Sequence, residues 1–215
     1  INKSEIIIIS VNFNIKKKEK NPFKPLKEII INIGRNISKK TLILVETTLP
    51  PGTCSKVLIP ELIKVLKKRK MSIKDIQFCY SYERVTPGKN YVNSIVNSKR
   101  CLAGYDKFSE QKCEKFLKTF INTKKYPLRK LKSLIDCEAA KILENTYRTI
   151  NIAFIDEWTK YAELMKINLI DIISAIRERH THSNIMNPGL GVGGYCLTKD
   201  PLFSEHSAKL FASKT

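Results

Sequence analysis

The chain carries only three histidines, and none of its six cysteines belongs to a C-x-x-C pair. Cys54, Cys79, Cys101, Cys113, Cys137 and Cys196 are scattered, which speaks against a zinc site and against a compact disulfide framework. A reducing cytoplasm is the expected compartment. No apolar run approaches the roughly 20 residues that span a bilayer. The first residues show no charged-then-apolar leader pattern, so neither membrane nor secretory signal is expected. Acidic residues are also scarce, 20 against 39 Lys and Arg, for a net charge of +19. That balance raises nucleic-acid binding, yet the lysines cluster at 16–18 and 67–70 without interleaved aromatics to stack on bases. The expectation is a solvated basic face, also compatible with a small anionic substrate, and no nucleic-acid partner. Internal repeats and low-complexity tracts are absent.

What is present suits a folded enzyme-sized chain. With 215 residues, 42% apolar and 27% charged, there is material for one large domain or two small ones with a real core. Residues 6–11 form a continuous β-branched run, 25–37 show helical spacing, and 41–46 ("TLILVE") make a second short apolar run. This is a β-α-β unit of the kind that builds parallel sheets. Pro50-Pro51-Gly52 marks a turn, with Thr53 or Ser55 expected to cap the helix behind it. A further strand is expected over 76–81 ("IQFCYS"). Between 136 and 187 there is no Gly or Pro, and the apolar spacing predicts a long helix and then a shorter one over 169–179. The boundary between an α/β piece (1–130) and an all-α piece (131–215) is expected near residue 130.

Four of the eight glycines fall within residues 189–194, and Gly189, Gly191 and Gly194 spell G-x-G-x-x-G. A dinucleotide fingerprint must follow a strand, open a helix and be answered by an acidic residue about 20 positions later. Here "HTHSNIMNP" precedes it, so that reading fails. The loop instead delivers Cys196, with Lys199 and Asp200 behind it. A cysteine where loop turns to helix, beside a cation, can be a nucleophile or a buried structural residue, and the residue chemistry leaves both open. Glu138, Lys141, Asn145 and Arg148 line one stripe of the long helix, either a solvated face or a pair, Lys141 and Asn145, able to hold an oxyanion. Thr47-Thr48 and Glu83-Arg84 each follow a strand, where open α/β sheets place ligands, although a turn and a surface ion pair are the simpler readings.

The motifs "VETTLPPGT", "SYERVTPGK", "CEAAKILENTYR" and "GLGVGGYCLTKDP", in that order, resemble the UDP-glucose/GDP-mannose dehydrogenase family of nucleotide-sugar 6-dehydrogenases. The resemblance implies α/β architecture: the C-terminal half of a Rossmann-like parallel-sheet domain, then an all-α central dimerisation domain. It implies NAD-dependent oxidation of the C6 hydroxyl of a UDP-hexose or UDP-N-acetylhexosamine to the uronic acid. By resemblance, Cys196 is the nucleophile, carrying a thiohemiacetal and then a thioester. Lys141 and Asn145 stabilise the oxyanion, Asp200 is the acid/base or water-orienting carboxylate, Thr48 positions water, and Glu83 serves thioester hydrolysis. Substrate contacts fall on Glu83, Arg84, Lys141, Asn145, His180 and Gly193. Cofactor contacts fall on Val11, Asn12, Thr47, Thr48 and Lys199, with no metal and with a homodimer through the long helix.

The chain departs from the family pattern at Phe13-Asn14, where relatives have Thr-Pro, at Tyr82, where many have proline, and at His180, where UDP-glucose enzymes tend to have arginine. Family members open with a strand and a true glycine fingerprint and close with a nucleotide-binding domain, and neither is read in these 215 residues. The segment is therefore expected to be a fragment without turnover as an isolated polypeptide. The rival reading is a truncated, non-catalytic remnant that keeps only the fold and the dimer face.

Overall fold

The computed structural model describes residues 1–15, 19–86 and 88–212; the lysine cluster at 16–18 and Pro87 of the "SYERVTPGK" motif lie outside the described residues. The chain forms two compact units, Ile1–Lys141 with His206–Thr215, and Ile142–Glu205.

The first unit is built on a five-stranded sheet in the order β1-β2-β3-β4-β5: Ile6–Ile9, Leu42–Val45, Gln77–Tyr80, Cys101–Gly104 and Arg129–Lys130. The β1, β2 and β3 strands run parallel, with Ile6 opposite Leu42 and Leu42 opposite Gln77. All four residues of β2 are buried, as an unbroken Leu-Ile-Leu-Val run requires of a strand covered on both faces. The β3/β4 pair is antiparallel, Tyr80 opposite Ala103, whereas β4 and β5 are parallel. Only the six-residue helix α3 (Tyr91–Val96) lies between β3 and β4, so the chain enters β4 from the end where β3 leaves.

Helix α1 (Lys24–Asn36) carries Pro25 in its first turn, where the missing N–H has no intrahelical role, and α2 (Ile59–Lys68) carries Pro60 where it continues from the π-turn Cys54–Leu58. They bury Leu26, Ile30 and Ile33, and Leu62 and Leu66. They approach closely at Gly34, where a Cβ would lie 3.0 Å from Leu62 and 3.1 Å from Val65. Helix α4 (Lys107–Leu117) is capped by Asp106, which accepts the Ser109 N–H at 2.7 Å. It lays Cys113 and Leu117 on Leu42, Leu44, Cys79 and Leu102 of the sheet.

In the second unit the long helix α5 (Leu134–Met165) contributes from Ile142 onward. Lys166, at φ 55, ends it in the left-handed region, and Asn168 caps α6 (Leu169–Arg177) by accepting the Ile170 and Asp171 N–H groups. Helix α7 (Tyr195–Phe211) follows the glycine loop and contains Pro201. The core here is small: Ile155, Ala162, Leu169 and Ile173, with Ile185 and Met186 against it. No described helix is long and apolar enough to cross a membrane.

Candidate active site

In the first unit the parallel strands deliver three loops to one edge of the sheet, because β1, β2 and β3 all end there. The loop after β1 carries Val11 and Asn12, both exposed. Thr47, buried just past β2, locks that loop: its Oγ1 accepts the Val11 N–H at 2.9 Å and lies 3.1 Å from the Val11 carbonyl. Thr48 beside it is half-buried. The loop after β3 carries Tyr82, Glu83 and Arg84.

Lys141, at the last position of this unit, reaches that third loop. Its Nζ donates to the Glu83 carbonyl at 3.0 Å, stands 3.9 Å from the Glu83 carboxylate and lies over the Tyr82 ring at 5.5 Å. The Glu83 carboxylate also accepts the Val85 N–H. The opposite face of the story belongs to Arg84. Its guanidinium lies against the Tyr82 ring and donates to Tyr82 Oη at 3.1 Å and to the Lys99 carbonyl at 2.6 Å, so it is tied into the loop's own framework. Tyr82, a departure from the family pattern, thus serves both cations as a buried platform. Phe13, the other notable departure, is buried and stacked on Phe23 at 5.8 Å, and Phe23 stacks in turn on Phe211.

Sequence reading passed over Arg100 and Glu46. Arg100 is buried, ion-paired to Glu46, and donates from Nε to Ser81 Oγ at 3.1 Å and from its terminal nitrogen to the Ser81 carbonyl at 3.0 Å. Glu46 directly precedes Thr47, and Ser81 directly precedes Tyr82. One guanidinium therefore ties together the roots of two site loops. The only hint in sequence was an acid at the end of an apolar strand.

In the second unit Cys196 is exposed as the second residue of α7, after a loop in which Gly191 and Gly194 adopt φ of 79° and 81°. Those angles favour glycine. Asp200, four residues on, shares the helix face of Cys196 and is fully buried. It accepts Asn145 Nδ2 on one oxygen at 2.5 Å and pairs with Lys199 Nζ at 2.8 Å on the other. Lys199 is itself buried, with the Tyr195 and Phe203 rings 4.9 and 4.6 Å from its nitrogen. Thr149, one turn beyond Asn145, donates to the Leu197 carbonyl at 3.1 Å, fastening the first turn of α7 to α5. Gly193 is exposed with no atom within 4 Å of a built Cβ, and His180 is exposed in a short turn, His180–His182. The structure thus joins Asn145, Lys199 and Asp200 beside Cys196, and joins Lys141 to Glu83. His180 and Gly193 stand apart in contact terms.

Two family models match the chain: the NAD binding domain of the UDP-glucose/GDP-mannose dehydrogenase family over residues 1–121, and the central domain of the same family over 136–213. A UDP-N-acetyl-D-mannosamine dehydrogenase of Methanocaldococcus jannaschii is 34% identical over 184 residues, covering 86% of this chain and 40% of that protein. The UDP-D-ManNAc dehydrogenase structure from Pyrococcus horikoshii superposes on 100% of this chain and 48% of its own, with a TM-score of 0.82 and 25% identity. The UDP-N-acetyl-mannosamine dehydrogenase Cap5O of Staphylococcus aureus gives a TM-score of 0.72 at 29% identity, over 96% of this chain and 49% of its own. The chain spans less than half the length of these relatives. Its Rossmann-like α/β unit, its helical unit and both model matches make it a member of the UDP-glucose/GDP-mannose dehydrogenase family.

Proposed function

We propose that this chain is the catalytic core of an NAD-dependent nucleotide-sugar 6-dehydrogenase that oxidises a UDP-hexose or UDP-N-acetylhexosamine to its uronic acid. The observation that carries the reading is the Asn145–Asp200 contact at 2.5 Å, on the helix face that Cys196 opens. It places an amide donor and a carboxylate at the root of an exposed thiol, the set that acyl chemistry on sulfur needs. The similarity to UDP-N-acetylmannosamine dehydrogenases favours an N-acetylhexosamine as the sugar. The packed Phe13 weighs against the remnant reading, since a decaying position has no reason to complete a ring stack.

NAD, when bound, takes up a hydride in each of the two oxidations. The Val11–Asn12 loop, held in place by Thr47, and half-buried Thr48 would edge its site at the strand ends, and no strand-to-helix turn of the first unit holds more than one glycine to cradle a pyrophosphate. The protein's own part begins with the Cys196 thiolate adding to the C6 aldehyde, forming a C–S bond and placing the electron pair on oxygen. Lys141 and Asn145, four residues apart on α5, donate to that oxyanion. Loss of the second hydride leaves a thioester. Asp200 orients the water that attacks it, releasing the carboxylate and returning the thiol; by family resemblance Glu83 and Thr48 serve the same hydrolysis. Lys199 pairs with Asp200 and holds its carboxylate in place.

A second copy completes the assembly. Leu143, Tyr147, Ile150, Phe154, Trp158, Tyr161 and Met165 form one exposed apolar stripe along α5, with spacings of four and three. Leu143 and Ile150 leave 70% and 62% of their surface open, and a symmetric helix pairing would cover them. All six cysteines are free, which fits a reducing cytoplasm.

The test is a panel of UDP-sugars offered with NAD to the complete gene product. Two NADH per uronate are expected. Replacing Cys196 with Ala should lower turnover by at least about a thousandfold. A Cys196→Ala variant with the wild-type NADH yield would remove the thioester route.

A further inference from the structure

Glu138 is a buried acid for which the proposed chemistry has no use. It sits in α5 one turn before Lys141, with none of its surface exposed. Its Oε2 accepts the Gly52 N–H at 2.6 Å and its Oε1 accepts the Cys54 N–H at 2.8 Å. These donors open the π-turn Cys54–Leu58, which runs directly into α2, and such first N–H groups have no intrahelical acceptor. The local side chains expected to cap them act elsewhere. Thr53 Oγ1 donates to the Pro50 carbonyl at 2.6 Å and Ser55 Oγ to the Gly52 carbonyl at 3.3 Å. The cap therefore comes from a distant helix, which corrects the expectation of Thr53 or Ser55.

The same turn is gripped from a second side. Ser207 Oγ donates to the Pro51 carbonyl at 2.6 Å, and Gly52, at φ 96°, lies where a Cβ would meet the Phe211 ring at 3.1 Å. Thr48 sits four residues before Gly52 on this continuous, proline-stiffened segment.

We propose that Glu138 is a positioning residue whose carboxylate fixes the loop carrying Thr48 to the turn of α5 carrying Lys141. Its importance for turnover rests on the dehydrogenase reading; the fixing itself does not. The titratable groups facing Glu138 are the Cys54 thiol on the π-turn, the Tyr80 phenol on β3 and the neighbouring Cys137 thiol, each pushed up by burial. None is a cation. Burial pushes the Glu138 carboxyl up to about 7, against the backbone N–H groups of Cys54 and Gly52 that favour its charged form. The ionised acid accepts both N–H groups as charge-assisted bonds, and the neutral acid gives up part of that capacity. Burial outweighs those bonds: a carboxyl released to water titrates at its ordinary, lower value, so the fixing loosens as pH rises through neutrality.

Hydrogen exchange followed by NMR at Gly52 and Cys54 tests this, in the wild-type protein and in Glu138→Gln, from about pH 5.5 to 8.5. Protection factors remove the intrinsic pH dependence of exchange. In the wild type those two should fall about tenfold or more from about pH 5.5 through neutrality. In Glu138→Gln they should stay low and flat, because the amide nitrogen faces a donor, while β2 and β3 amides are unchanged. Wild-type protection that does not titrate, or that survives in Glu138→Gln, overturns the proposal. So does loosening of the whole first unit together, which would make Glu138 an ordinary core group. With the complete gene product, Glu138→Gln should lower kcat about tenfold and leave KM within about threefold. An unchanged kcat would remove the catalytic importance. If the wild type forms no NADH while the exchange result holds, it is the dehydrogenase reading that fails.

Discussion

The two units treat polar groups in opposite ways. In the first, Thr47, Arg100, Glu138 and Lys141 are all buried, and each is bonded to backbone at the root of a loop. These groups fix where the loops stand. In the second unit one buried knot, Asn145 with Lys199 and Asp200, sits under an exposed cysteine, and a long apolar stripe lies open. These four groups answer their desolvation costs internally, as the fixed points of a scaffold must. The second presents groups outward, and on the proposed reading substrate and a second copy cover them. Stability should therefore respond to polar changes in the first unit, and association to apolar changes in the second.

The largest effect is expected at Arg100. Replacing it with Leu leaves the Glu46 carboxylate and the Ser81 carbonyl without their shared partner in a buried place. Breaking one side of such a pair costs about 3–5 kcal/mol. The double replacement of Arg100 and Glu46 by Leu should recover most of that loss, because no charge is then stranded. Urea unfolding of the three variants gives the comparison. A single variant within about 1 kcal/mol of the wild type would show that the pair does not tie the loops in solution.

Next in size is the pH dependence that Glu138 imposes. Its carboxyl stands at about 7 when folded, against 4.5 in the unfolded chain, so the folded state binds more protons between those values. The stability this group contributes is fully present below the unfolded value and is lost as pH rises through the folded one. At 1.36 kcal/mol for each pKa unit, the loss amounts to about 3 kcal/mol. Glu138→Gln should be level across that window where the wild type declines. Equal slopes in the two proteins would place the titration on another group.

How far the sequence speaks follows the same division. Short apolar runs announced β1 and β2; β2, covered on both faces, must be apolar throughout, whereas β1 at the sheet edge leaves Ile8 exposed. The β5 strand, Arg129–Lys130, is two exposed cations paired with β4, with Lys130 ion-paired to Glu110 and Glu114 of α4, and no periodicity could reveal it. The antiparallel turn between β3 and β4 is set by what the chain does after β3, which lies beyond any local pattern. In the site, the stripe on α5 grouped Glu138, Lys141, Asn145 and Arg148 but not their duties. Glu138 and Lys141 are buried, Asn145 is half-buried and Arg148 is exposed. Their partners, Gly52, Glu83 and Asp200, lie more than 50 residues away in each case. Arg100 and Glu46, 54 residues apart, left no local trace for the same reason. Phe13 departs from the family pattern, and its stack on Phe23, ten residues on, is made only by the fold.

The smallest effect on folding, and the sharpest test of the division, is expected from Ile150→Gln. The side chain is exposed within one chain, so its replacement removes no packing there and should shift unfolding by less than about 0.5 kcal/mol. In a symmetric pair of α5 helices the same position is buried twice, once from each copy. Losing a buried apolar side chain costs about 1.5–3 kcal/mol per copy, which weakens association by well over tenfold. Sedimentation across a range of concentrations should therefore show the variant dissociating where the wild type remains paired, with unfolding of the separated chain unmoved. If Ile150→Gln associates like the wild type, the stripe is not the pairing face. If instead it unfolds readily as a single chain, the stripe is packed within the molecule, and the contrast between the two units loses its second half.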